Sequence, residues 1–145
     1  GEQLGQRIRT AGNEYGSTTG RPRRCGWLDL VALRYALDLN GTTGLILTNL
    51  DVLSVFPEIP VCVAYDVPGV RGAVSEYPAY LPALDEVRPR YERHAGWKTD
   101  ISHVRRYADL PRAAREYVEW VEERIGVPIE MLSVGPERDA VIPRR

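Results

Sequence analysis

Three arginines and three hydroxyl side chains crowd into nine residues, Gly16-Ser17-Thr18-Thr19-Gly20-Arg21-Pro22-Arg23-Arg24. A guanidinium is a planar fork of donors that matches carboxylate and phosphate oxygens two at a time. Short hydroxyls add donors, and glycines let backbone approach a ligand closely. Such a stretch is suited to holding an anion. Charge runs are also commonly plain solvated, disordered loops, and composition alone leaves the two readings level. A second polar group, Asn49-Leu50-Asp51, follows the short apolar run Gly44-Leu45-Ile46-Leu47-Thr48. Functional groups beyond the C-terminal end of a buried strand are the usual arrangement in open α/β sheets.

The elements that must position these groups are legible in part. Residues 1–15 are polar and predict a short strand around Gln6–Thr10, then a turn at Ala11-Gly12-Asn13-Glu14. Trp27 to Leu39 is apolar almost all round, which predicts a buried helix stopped by Asn40-Gly41. The basic loop would then feed this helix's N-terminus, where free N–H groups and the dipole also favour negative charge. Pro57 and Pro60 punctuate the chain before a second buried strand at Val61-Cys62-Val63-Ala64-Tyr65. Residues 66–86 read as loop or hairpin with an edge strand at Val70–Val74. Pro89 demotes a strand at Val87–Glu92 to an edge, and 93–108 carry no clear pattern.

A second helix is better marked. Asp109 is a suitable N-cap, and Pro111 falls in the first turn, where its missing N–H costs nothing. Leu110, Ala114, Tyr117, Val118, Val121 and Ile125 form one continuous face, with Arg115, Glu116, Glu119, Glu122 and Glu123 on the solvent side. Gly126 and Pro128 end it, Ile129-Glu130-Met131-Leu132-Ser133 is a last strand, and Val134-Gly135-Pro136 turns the chain away. No internal repeat is present.

Composition narrows the classes. The 145 residues suit one domain, 43% of them hydrophobic and 27% charged, which is ordinary for a globular protein. A net charge of -1 argues against a nucleic-acid or membrane-surface protein. Cys25 and Cys62 are far apart and outside metal-ligand spacing, so neither a disulfide scaffold nor a zinc site is indicated. No apolar run reaches spanning length and no signal-peptide pattern opens the chain, which points to a cytoplasmic protein. The polar opening without methionine, leading at once into the basic loop, reads as the back part of something larger.

Gly12-Asn13-Glu14-Tyr15-Gly16-Ser17-Thr18-Thr19-Gly20-Arg21-Pro22-Arg23-Arg24-Cys25-Gly26-Trp27-Leu28-Asp29 resembles the adenylosuccinate synthetase family. So do Leu47-Thr48-Asn49-Leu50-Asp51-Val52-Leu53, Val61-Cys62-Val63-Ala64-Tyr65, and Leu132-Ser133-Val134-Gly135-Pro136-Glu137-Arg138. The four blocks stand in family order from residue 12 to residue 138. The resemblance implies an α/β fold, the C-terminal portion of a P-loop-NTPase-like mixed sheet with flanking helices, all 145 residues forming one unit. It implies GTP-dependent ligation of IMP and L-aspartate to adenylosuccinate, on the AMP branch of purine biosynthesis. In that reaction GTP phosphorylates O6 of IMP, and the aspartate amine then displaces the phosphate. The family's phosphate loop (G-D-E-G-K-G-K), catalytic aspartate and catalytic histidine have no match here. Residues 1–145 would correspond to about the last third of the family's length and be inactive alone. No catalytic residue is assigned to this chain, Mg2+ is expected to be bound by parts outside it, and the full enzyme is expected to be a homodimer.

By the same resemblance, Ser17, Thr18, Thr19, Gly20, Arg21, Pro22 and Arg23 match the mobile loop that closes on L-aspartate. Arg21 matches the arginine that also contacts IMP, and Arg23 the one between aspartate and the GTP side. Arg24 and Trp27 are expected to be structural, and His94 and His103 structural or at the surface. Asn49, Leu50 and Asp51 align with the guanine-reading turn, usually Lys-Leu-Asp. There the Asp51 carboxylate can accept from both N1–H and the exocyclic amine of guanine, a donor pair adenine lacks. Asn49 departs from the usual lysine. Ser133, Val134 and Gly135 match a second turn whose backbone would meet guanine O6. Two alternatives stand beside this: an autonomous, non-catalytic GTP- or anion-binding module, and an arginine-loop nucleic-acid binder. Net charge and a dearth of surface aromatics weigh against the last.

Overall fold

A computed structural model describes residues 2–77 and 86–144. The chain opens with helix α1, Glu2–Ala11, where the sequence suggested a strand at Gln6–Thr10. Burial there falls on Gly5 and Ile8, and Leu4 and Ile8 stand one helical turn apart against Val52 and Phe56. This helical spacing is what wins over the short polar alternation. A turn follows as expected, with Asn13 in the left-handed region at φ 48°.

Helix α2 spans Leu30–Asn40, starting later than the apolar run suggested, because Asp29 caps it. The Asp29 carboxylate accepts from the N–H groups of Val31 and Ala32 at 3.0 and 3.1 Å. This corrects the expected joint anion site: an acidic cap, not the basic loop, occupies the helix N-terminus. Tyr65 donates to the same carboxylate at 2.5 Å; Asp29 itself is extended, and residues 26–28 lie outside any helix or strand. Gly41 stops the helix at φ 57°, a conformation that favours glycine. Leu30, Val31 and Leu37 are buried, whereas Leu39 is 68% exposed, so the apolar residues of the helix are covered on one side only.

Strand β1, Leu45–Leu47, leads into a 3-10 turn at Asp51–Val55. Strand β2, Glu58–Asp66, extends past the expected 61–65 at both ends and includes Pro60. It is the middle of an antiparallel sheet, between β3, Ala73–Val74, and β4, Arg88–Ala95. β4 is therefore the edge strand that Pro89 demanded. The expected strand at 70–74 contracts to β3, and residues 78–85 of the 66–86 loop lie outside the described residues.

Helix α3, Arg112–Ile125, buries Ala114, Tyr117, Val118, Val121 and Ile125, the anticipated face. Two details differ. Pro111 is its cap, with no side-chain bond, because the Asp109 carboxylate is taken by the Arg106 guanidinium at 2.7 and 2.9 Å. Glu122 is not simply solvated: it pairs with Arg144 at 3.0 Å and accepts from the N–H of Ile129 at 2.7 Å. Strand β5, Ile129–Ser133, runs parallel to β1, and a strand without a sequence signal, β6, Val141–Pro143, pairs antiparallel with it. The second sheet is thus mixed, in order β1-β5-β6. One core joins both sheets and two helices, with Leu30, Ile59, Val61, Val118, Leu132 and Ile142 almost wholly buried. The fold is mixed α/β with flanking helices, as expected.

Candidate functional site

The basic loop is a closed hairpin, not a loose tether. Tyr15 and Pro22 form an antiparallel bridge, the N–H of Gly16 donates to Arg21 O at 2.9 Å, and that of Gly20 to Gly16 O at 2.8 Å. Gly20 turns the tip at φ 65°, and Thr19 Oγ1 accepts from the N–H of Arg21 at 3.3 Å. Ser17, Thr18, Thr19, Gly20, Arg21 and Pro22 are all exposed on it. The stem is anchored at its base. The N–H of Arg23 donates to Glu14 O at 3.0 Å, the Arg9 guanidinium to Arg23 O at 2.7 Å, and the Arg23 guanidinium to Glu14 Oε2 at 2.9 Å.

Asn49-Leu50-Asp51 and Ser133-Val134-Gly135 meet because β1 and β5 are parallel neighbours and end side by side. The N–H of Leu50 donates to Ser133 O at 3.1 Å, and Leu50 is buried. Asn49 precedes it in the left-handed region at φ 59°, where asparagine is one of the few tolerant residues. In the second turn Ser133 Oγ donates to Gly135 O at 3.0 Å. Val134 is buried and its N–H is spent on Ala140 O at 2.9 Å, so it is held inward. Burial raises the pKa of the Asp51 carboxyl; Asp100 and Glu137 push the same way, against the N–H groups of Asp51 and Val52.

Adjoining this corner is a cleft of about 370 Å³, whose lining includes Glu14, Arg23, Arg24, Trp27, Thr48 and Asn49. It brings the loop stem and the β1 turn to one opening, while the loop tip, Asp51 and residues 133–135 lie outside the lining. Glu14 is the residue that sequence reasoning passed over as part of a turn. Its second oxygen accepts from Asn49 Nδ2 at 3.1 Å. Its position two residues before the loop, inside the first block that resembles the family, was the available signal.

Trp27 packs edge-on against Phe56 at 4.9 Å, in keeping with a structural role, and Arg24 is exposed. His103 is exposed too. His94 lies against Trp120 and Tyr117 with a buried, unpartnered Nε2, and burial lowers its pKa. Cys25 and Cys62 are free, and burial together with Asp29 raises the Cys62 thiol to about 11. Among the described residues no cluster of three His, Cys, Asp or Glu could hold a metal, and no helix is long and apolar enough to cross a membrane. Tyr15, Tyr35 and Tyr91 are 38–45% exposed, so surface aromatics are not lacking as the sequence suggested.

A family model described as adenylosuccinate synthetase matches residues 1–142. A chloroplastic adenylosuccinate synthetase of Solanum bulbocastanum is 54% identical over 138 residues, which is 95% of this chain and 27% of that protein. The adenylosuccinate synthetase of Aquifex aeolicus is 49% identical over 138 residues, 95% of this chain and 32% of its own. Among solved structures, a fully ligated adenylosuccinate synthetase from Plasmodium falciparum superposes with a TM-score of 0.92 at 39% identity. The match covers 99% of this chain and 34% of that one. The chain therefore spans about a third or less of the length of these relatives.

Proposed function

The chain belongs to the adenylosuccinate synthetase family, and from that premise we propose that it is the C-terminal part, roughly the last third, of a GTP-dependent ligase joining IMP to L-aspartate. It contributes two binding surfaces to that enzyme and no catalytic group. The loop 16–24 takes the aspartate carboxylates with the hydroxyls and backbone of Ser17, Thr18, Thr19 and Gly20, Pro22 stiffening its return. Arg21 reaches aspartate and IMP; Arg23 stands between aspartate and GTP. A dianionic amino acid beside nucleotide phosphates needs several fixed cations in one place.

Asn49, Leu50 and Asp51, with Ser133, Val134 and Gly135, read the guanine of GTP. Asp51 accepts from N1–H and the amino group. Gly135, rather than the inward-held Val134, is the backbone donor suited to O6. The observation that carries this assignment is the Leu50 N–H to Ser133 O bond: it fastens the two turns into one corner at the C-terminal ends of β1 and β5. Mg2+ and the groups that activate IMP belong to parts of the enzyme outside these residues. The enzyme acts as a cytoplasmic homodimer, although the Solanum relative is named as chloroplastic.

The test is reconstitution. A protein of full family length carrying these residues should form adenylosuccinate from IMP, L-aspartate and GTP with Mg2+, and lose activity when ATP replaces GTP. The 145 residues alone should form none. Product from the short chain would refute the division of labour, and equal use of ATP would refute the base-reading corner.

A further inference from the structure

Glu14 has both carboxylate oxygens engaged, each with a different half of the proposed site. Oε2 accepts from Arg23 Nη1 at 2.9 Å, and Oε1 accepts from Asn49 Nδ2 at 3.1 Å. The backbone of Glu14 is equally fixed: its carbonyl closes the loop stem with Arg23 N–H at 3.0 Å, and its own N–H donates to Arg9 O at 2.9 Å. The Glu14 side chain is 21% exposed while that of Arg23 is 58% exposed. All three residues line the same cleft.

An exposed ion pair stabilises a fold little, so stability alone does not account for this arrangement. Its geometry does something else. Asn49 cannot shift independently of the corner, because it sits at φ 59° immediately before Leu50, whose N–H is tied to Ser133 O. Arg23 spends one of its five N–H donors on Glu14, which restrains the fork and leaves the others for a carboxylate.

We propose that Glu14 is a positioning residue that links Arg23 of the aspartate loop to Asn49 of the guanine-reading turn, so that occupancy of one site is felt at the other. This rests on the ligand assignments made above. A base seated in the corner holds Asn49, Asn49 holds Oε1, and Oε2 aims Arg23. By thermodynamic reciprocity, bound L-aspartate then tightens GTP by the factor with which GTP tightens L-aspartate.

The experiment titrates a non-hydrolysable GTP analogue into an enzyme of full family length carrying these residues, with IMP present, with and without saturating L-aspartate. The unsubstituted enzyme should bind the analogue about fivefold or more tightly with L-aspartate, the lower end of ordinary coupling. Glu14→Gln and Asn49→Ala should each reduce that ratio to within about twofold, and the double variant no further, because both cut one link. A purely structural role would weaken each ligand and leave the ratio intact, and that result overturns the proposal. So does a ratio near one in the unsubstituted enzyme. If the enzyme binds the analogue but Glu14→Gln keeps the ratio, only the linkage fails. If it binds neither ligand, the ligand assignments fail with it.

Discussion

Replacing Asp51 by asparagine removes one charge and almost no volume, which isolates what the carboxylate does. Asp51 opens the 3-10 turn after β1 and is half-buried, and burial has already raised its pKa above the ordinary carboxylate value of 3.8. A guanine would present two N–H donors to that one carboxylate. An amide keeps one acceptor and turns an NH2 donor toward the other, so one charged hydrogen bond is lost and a donor faces a donor. Hydrogen bonds to charged groups contribute about 1.5–3 kcal/mol, so GTP affinity should fall roughly ten- to a hundred-and-fifty-fold at 1.4 kcal/mol per decade. Xanthosine triphosphate carries an oxygen where guanine has its amine, and its use should rise relative to GTP. The fold should survive, because Asp100 and Glu137 bear the same sign as Asp51 and the substitution relieves both repulsion and desolvation. Calorimetric titration with each nucleotide, beside a melting curve, supplies the measurement. GTP affinity within twofold of the parent, with an unchanged xanthosine preference, would refute the assignment of Asp51. The anion is the binding form, so parent affinity should also decline as pH falls toward the raised pKa, and the asparagine variant should not follow it.

Three further outcomes are expected. Arg21→Leu should raise the KM for L-aspartate or lower kcat while leaving guanine binding mostly intact; steady-state kinetics that show loss of GTP binding alone would mean that loop and corner have exchanged roles. His94 is half-buried with its Nε2 shielded from solvent, and burial lowers its pKa from 6.5, so its neutral form contributes stability that is present above pH 6.5 and is lost as pH falls through the depressed value. The melting temperature should therefore drop between pH 7 and pH 5, and less steeply in His94→Phe. Leu132→Ala removes a fully buried side chain from β5, the middle strand of the mixed sheet, and should cost about 2–5 kcal/mol in urea unfolding; a smaller loss would mean the core collapses around it.

Periodic burial was the most legible signal. The stripe from Leu110 to Ile125 gave α3 its buried face, and the runs 44–48 and 129–133 gave β1 and β5, because sustained spacing reflects one covered side. Where two chemically reasonable partners competed, the chain alone did not say which would win. Asp109 is a sound cap, but Arg106 takes its carboxylate three residues away, and Asp29 claims the helix end offered to the basic loop. The helical register of α1 depends on Val52 and Phe56, some forty residues onward, and β6 on its partner β5. At the site, the two turns were identifiable as pieces, and the hydrogen bond that fastens them was not. Glu14 escaped notice for the same reason, since its significance lies in Asn49, which is distant in sequence and adjacent only in the fold.

The parallel pairing of β1 with β5 has a kinetic side. Leu45 pairs with Ile129, so more than half of the described chain lies between the two strands whose ends make the corner. Closing so long a segment is entropically unfavourable and slow compared with forming α3 or the β2–β4 pairing, which rely on nearer neighbours. The corner should therefore be among the last parts to assemble during refolding. Nucleotide capture, followed in a stopped-flow experiment, would then report completion of the fold, lagging the return of helical signal.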